Sequence, residues 1–247
     1  MTKSNLQIKK FKNRKSIPDI LTRITSLQHT LDFIENKQLH FSPLASFKDQ
    51  KEGQSFNQFI KESREGEILP IKRRDIMYAS CWFSGDETLY MWDIYGSDKT
   101  NLAIQLFTNS LIENIFTPKN FWFQSDENKI EFKPNSLHCG IIGYVDQIKT
   151  PELSKPPIGT FKDIAFSHEN EFRFLLRQNY QDNPPQAFKN LKCKITNGAE
   201  TQIAIKIIVS PYAESSYFEF IKKELELYSN VSVVHSKFRD LFHLPLT

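Results

Sequence analysis

The sequence predicts an α+β fold: a single domain of mixed or antiparallel sheets flanked by short helices. Three observations lead there. Stretches that alternate apolar and polar residues outnumber stretches with helical spacing. The helical stretches interleave with strands at both ends of the chain. No internal repeat and no long linker divides the 247 residues, a length that accommodates one sizeable core. The chain has 21 phenylalanines and 13% aromatic residues against 39% hydrophobic residues overall, so phenylalanine supplies much of the core volume.

The chain is organised around residues 78–96. Tyr78, Ser80, Trp82 and Ser84 fall on one side of a strand, with Ile76 in line before them. Met77, Ala79, Cys81 and Phe83 fall on the other, the period-two pattern of a strand. The second face is apolar and suits a core. The first mixes hydroxyls with large aromatics and suits the wall of a cleft, although aromatic-rich strands also build cores. Gly85-Asp86 breaks the strand. Asp86 is then placed to cap a helix running to Gly96, which carries Tyr90, Met91, Trp92 and Tyr95.

Before this stretch, a short strand or helical turn is expected over 17–25, with Arg23 among its apolar positions. A helix follows over 28–36, then a strand over 38–43 ended by Pro43. Residues 54–74 read as a charged helix. After it, strands are expected at 101–107, 121–123, 129–132, 139–145, 169–176, 203–209 and 231–235, and helices at 109–116 and 215–228. In the last helix Phe218, Ile221, Leu225 and Tyr228 repeat at intervals of three and four.

Bulk properties exclude several classes. A net charge of +3 with 25% charged residues does not demand a nucleic-acid partner. Charge is uneven, however: Lys3, Lys9, Lys10, Lys12, Arg14 and Lys15 precede any acid. Residues 1–16 therefore read as a basic tail, either solvated or a docking arm, ahead of a domain over 17–247. The three cysteines, Cys81, Cys139 and Cys193, lie far apart without CxxC or Cys/His spacing, so no zinc site is expected and a reducing cytoplasm is. No apolar run of about 18 residues predicts a membrane span, and the first residues lack an apolar h-region, so no signal peptide is expected. GxGxxG, Walker and GxSxG sequences are absent.

The sharpest chemical pattern is Glu169-Asn-Glu171-Phe-Arg173. Read as a strand, it sets Glu169, Glu171 and Arg173 on one face and Phe172, Phe174 and Leu176 on the other. The two carboxylates then lie about 7 Å apart. The same pattern also describes an ordinary sheet face with cross-strand ion pairs. The Glu-x-Glu spacing resembles that of arginine-, serine- and threonine-directed ADP-ribosyltransferases. The resemblance implies an ADP-ribosyltransferase-like fold and NAD as substrate. Glu171 would stabilise an oxocarbenium-like transition state, with Glu169 orienting or deprotonating the acceptor. It also implies Ser80 as a third catalytic residue and Arg23 on the NAD pyrophosphate. Tyr78, Trp82, Trp92 and Tyr95 would supply aromatic contacts to nicotinamide.

Four further blocks resemble the bacterial domain-of-unknown-function family 2971: residues 38–53 (QLHFSPLASFKDQKEG), 80–96 (SCWFSGDETLYMWDIYG), 162–174 (KDIAFSHENEFRF) and 207–212 (IIVSPY). Ser210 stands where that family usually has glycine, and Asp93-Ile94 replaces its usual histidine block. Together the resemblances imply a cytoplasmic NAD-consuming effector or toxin in bacterial conflict or anti-phage defence, with a protein or nucleic-acid acceptor. Two alternatives stand beside it. One is a non-catalytic sensor or adaptor working with a neighbouring gene product. The other is a metal-dependent nuclease-like effector using Asp49 and Glu52 with Glu169 and Glu171.

Overall fold

Alternation decides the central strand. Met77, Ala79 and the half-buried Cys81 pack on one side with Leu44, Ile142 and Leu175, and Tyr78, Ser80 and Trp82 are buried on the other. The structure is a computed structural model. It describes residues 7–10, 16–47, 77–115, 121–124, 129–131, 136–146, 159–177, 191–194 and 203–242. In chain order the strands and helices are β1 (Gln7–Lys10), β2 (Ile20–Thr25), α1 (Leu27–Ile34), β3 (Gln38–Pro43), β4 (Met77–Ser84), α2 (Leu89–Tyr95), β5 (Leu102–Phe107) and α3 (Thr108–Ile115). There follow β6 (Phe121–Gln124), β7 (Lys129–Glu131), β8 (Ser136–Ile141), β9 (Gly143–Val145), β10 (Phe161–Asp163), β11 (Glu171–Arg177), β12 (Leu191–Lys194), β13 (Ile205–Val209), α4 (Ser215–Leu225) and β14 (Val231–His235). The fold is mixed α+β, as the sequence predicts.

By contacts the chain forms two compact units. One comprises Met1–Ile17, Leu39–Cys81 and Phe116–Lys194; the other comprises Pro18–Gln38, Trp82–Ile115 and Ile195–Thr247. In the second, strands run in the order β14, β13, β5, β2 and then the end of β4. β13 and β14 are parallel, and the pairs β13–β5, β5–β2 and β2–β4 are antiparallel. Helix α4 buries Phe218, Ile221 and Leu225, the apolar stripe its spacing predicts. Helix α2 starts two residues later than expected. Thr88, not Asp86, is its N-cap, accepting from the Met91 N–H at 3.2 Å. Asp86 instead accepts from Gln105 at 2.8 Å and Lys237 at 2.9 Å. At the far end Gly96 lies against Trp92, where an added Cβ would fall 2.4 Å from the indole. The glycine admits a core tryptophan in the last helical turn.

In the first unit, β4 pairs with β3 and with β11, and β11 pairs antiparallel with β8. β8 in turn pairs parallel with β1. Residues 7–10 thus form a strand within the stretch read from sequence as a basic tail. A second path runs β3, β12, β6, β7. The expected strand over 139–145 is two strands. Ile142 donates its N–H to Glu171 O at 2.8 Å, and Gly143 donates to Thr160 O at 2.9 Å. The backbone so leaves β11 and joins β10 in a two-stranded parallel ladder. A side chain at Gly143 would meet the Phe161 ring at 2.6 Å, so this close crossing requires glycine. The helix expected over 54–74 lies outside the described residues.

Candidate functional site: a buried carboxylate cluster on β11

The chemistry of the first unit gathers at the start of β11. Glu169 is not on that strand, as its spacing predicts, but ends a 3-10 turn over Ile164–Glu169. Asn170 follows in the left-handed conformation, φ 41°, which asparagine tolerates better than most residues. This turn reverses the chain, and strand alternation begins only at Glu171.

Four charged side chains are buried together. Arg173 forks onto Glu171, its Nε 2.6 Å from Oε1 and its NH2 2.8 Å from Oε2. Its remaining arm donates to the Gly159 carbonyl at 3.2 Å. Lys162 lies 2.6 Å from Glu169 and 3.8 Å from Glu171. All four residues are at most 7% exposed. Two cations face two carboxylates, so the burial of charge is compensated. Gly159 holds φ +80°, a backbone state that glycine adopts without strain and that its role as acceptor for Arg173 exploits.

Three further groups complete the cluster. Tyr144 is the register partner of Lys162 in the β9–β10 ladder, and its hydroxyl oxygen accepts the Glu171 N–H at 2.8 Å. The Cys81 thiol hydrogen-bonds to the Glu171 carboxylate. The Lys162 ammonium also lies 4.6 Å from the centre of the Phe166 ring, within cation–π range. Burial pushes the Glu171 carboxyl up to about 7, with Lys162 and the Cys81 thiol pulling it down and Glu169 pushing it up. Burial also raises the Tyr144 phenol above its usual value, so it remains a protonated hydrogen-bond donor.

The cluster lies on the opposite face of the strands from the one expected. Glu171, Arg173 and Leu175 share a face of β11, and Leu175 packs with Met77 and Ala79. The β4 residue that meets Glu171 is therefore Cys81. Ser80, expected as the partner of Glu171, is fully buried on the other face of β4 with Tyr78. Phe172 and Phe174 do anchor the back of β11 in the core, edge to face at 5.2 Å.

The remaining expected site residues lie in the second unit. Arg23 stands on β2 with its guanidinium 5.8 Å from the centre of the Trp82 ring. Trp82 and Trp92 are core residues rather than cleft walls, 1% and 0% exposed. Trp92 packs with Met91, Ala103 and Ile208 and donates its indole N–H to buried Glu87 at 2.6 Å. Glu87 also accepts from Ser236 Oγ and from the Lys237 N–H, each at 2.8 Å. Only Tyr95 among the expected aromatics is well exposed, its ring edge to face with Phe83 at 5.4 Å.

Sequence reasoning did not single out Lys162, Tyr144 or Cys81. Lys162 carried one signal, its place as the first residue of the 162–174 block. Cys81 carried none, since a thiol within an apolar strand face reads as a small hydrophobe. Asp49 and Glu52, proposed from sequence as metal ligands, lie outside the described residues. Among the described residues no group of three or more His, Cys, Asp or Glu side chains is arranged to hold a metal ion. No described helix is long and apolar enough to cross a membrane.

No protein-family model and no curated protein matches the chain, the domain-of-unknown-function family 2971 included. Among solved structures it is similar to Thermus sp. 2.9 DarT in complex with NAD+, with TM-score 0.36 and 10% identity over 92% of this chain and 99% of that chain. It is similar to the same organism's DarT in complex with ADP-ribosylated ssDNA, with TM-score 0.35 and 11% identity over 92% and 97% of the two chains. For DarT in complex with carba-NAD+ the TM-score is 0.33 and the identity 13%, over 93% and 100%.

Proposed function

We propose that the chain is an NAD-consuming, ADP-ribosyltransferase-like effector in bacterial conflict or anti-phage defence, with Glu171 as its central carboxylate. One observation carries the reading: Glu171 is buried, fixed at both oxygens by Arg173, and set beside a second buried carboxylate, Glu169. Cleavage of the bond between nicotinamide and ribose builds positive charge on the ribose. A carboxylate that cannot reorient stabilises such charge without reorganisation at the moment of reaction. A carboxyl held near neutrality by burial also suits a general base for the acceptor. The acceptor is a hydroxyl or amide of a protein or nucleic acid. A reducing cytoplasm suits Cys81 and Cys139, neither of which forms a disulfide.

A second reading is favoured by the charge balance of the cluster. Two cations matched to two carboxylates also serve a non-catalytic adaptor, in which they fix one packing of β9, β10 and β11. Purified protein incubated with NAD separates the two. Nicotinamide release, with transfer of the ADP-ribosyl group to a component of a bacterial lysate, supports the enzyme. Protein that neither binds NAD nor releases nicotinamide overturns it and leaves the adaptor.

A further inference from the structure

The Tyr144 hydroxyl has a use beyond holding β11. Its oxygen accepts the Glu171 N–H, which leaves the phenolic hydrogen to be placed. Among the described residues no acceptor takes that hydrogen. Burial keeps the phenol protonated. Tyr144 and Cys81 are half-buried, whereas Lys162, Glu169, Glu171 and Arg173 are buried. Tyr144 and Cys81 are thus less buried than the four charges they contact or adjoin. The β9–β10 register sets Tyr144 alongside Lys162, and Gly143 fixes how closely the two strands approach.

A donor hydroxyl beside a fixed carboxylate matches a ligand group that both accepts and donates, which is a sugar hydroxyl. We propose that Tyr144 is a ligand-contacting residue of this site, donating its hydrogen bond to a hydroxyl of the nicotinamide-side ribose while that hydroxyl donates to the carboxylate cluster. This rests on the NAD reading above and adds to it a specificity residue that discriminates ribose from its deoxy forms.

The experiment is a cycle of two proteins and three ligands. Wild type and Tyr144→Phe are titrated calorimetrically with NAD and with NAD analogues lacking the 2′ or the 3′ hydroxyl of the nicotinamide-side ribose. Losing one neutral hydrogen bond weakens Kd by about three- to tenfold. The expected result is that Tyr144→Phe and one of the two deoxy analogues each weaken binding by that factor. Combined, they weaken it no further, because both remove the same bond. A purely structural tyrosine gives additive losses, and that result overturns the proposal. So does a wild type that binds both deoxy analogues as tightly as NAD, an outcome independent of whether the variant folds well. A wild type that binds no NAD at all sinks the underlying NAD reading and this inference with it. NAD binding with additive losses sinks only the role of Tyr144.

Discussion

The thiol of Cys81 hydrogen-bonds to the carboxylate of Glu171, joining β4 to the start of β11 through side chains as well as through the sheet. The bond favours the ionised carboxylate, so Cys81→Ala raises the Glu171 pKa above its value of about 7. If the carboxylate form is the active one, kcat/KM climbs with pH and levels off above about 7 in the wild type. In Cys81→Ala the same limb moves to higher pH, and a pH profile of nicotinamide release reads the shift.

Glu171→Gln is expected to be disruptive as well as inactivating. Gln keeps the shape but turns an amide donor toward the Arg173 fork and leaves that guanidinium, 1% exposed, without its counter-charge. A broken buried pair costs about 3–5 kcal/mol. Denaturant melts are expected to show a loss in that range, and activity measured well below the melting temperature to fall by about a hundredfold or more. The bidentate contact to Arg173 is what makes this exchange costly. Replacing Glu171 and Arg173 together with Leu and Met recovers part of the stability and none of the activity.

Phe172→Ala removes a fully buried ring from the back of β11. It is expected to destabilise by about 3–5 kcal/mol, seen as a lower urea midpoint with an unchanged slope. A loss below about 1 kcal/mol would mean that Phe172 does not anchor the strand.

Much of the fold was legible because alternation and helical spacing report burial directly. β3, β5, β13, β14 and α4 lie where their patterns put them, and of the strand or helical turn left open over 17–25 the structure takes the strand. β11 was legible in type and in its apolar back face, but its start was not. The left-handed Asn170 ends the 3-10 turn at a position where spacing alone continues the strand back to Glu169. β1 was hidden by its lysines, because pairing is decided by the backbone ladder with β8. At the site, Glu171 and its Arg173 partner were readable two residues apart. Lys162 and Tyr144 reach them from β10 and β9, and no local pattern in sequence encodes that register. Ser80 entered through the ADP-ribosyltransferase resemblance, whereas the face of β4 turned toward Glu171 is the apolar one that carries Cys81.

Trp92 illustrates the same limit in the second unit. Its place in an aromatic-rich helix suggests a stacking surface, yet its indole N–H is committed to buried Glu87. Trp92→Phe keeps most of the packing and leaves the carboxylate short of one donor. It is expected to cost about 1–3 kcal/mol, measured by thermal melts. Nicotinamide release, assayed below the melting temperature, should be unchanged.

The central claim is that the Glu171 carboxylate lies against the ribose of bound NAD. A crystal structure with a non-hydrolysable NAD analogue tests it most directly. The account predicts the nicotinamide-side ribose within hydrogen-bond distance of Glu171, with the Arg173 fork intact behind it. An analogue bound elsewhere, or excluded while the buried cluster stays closed, would contradict it and leave the four charges as a structural ion-pair network.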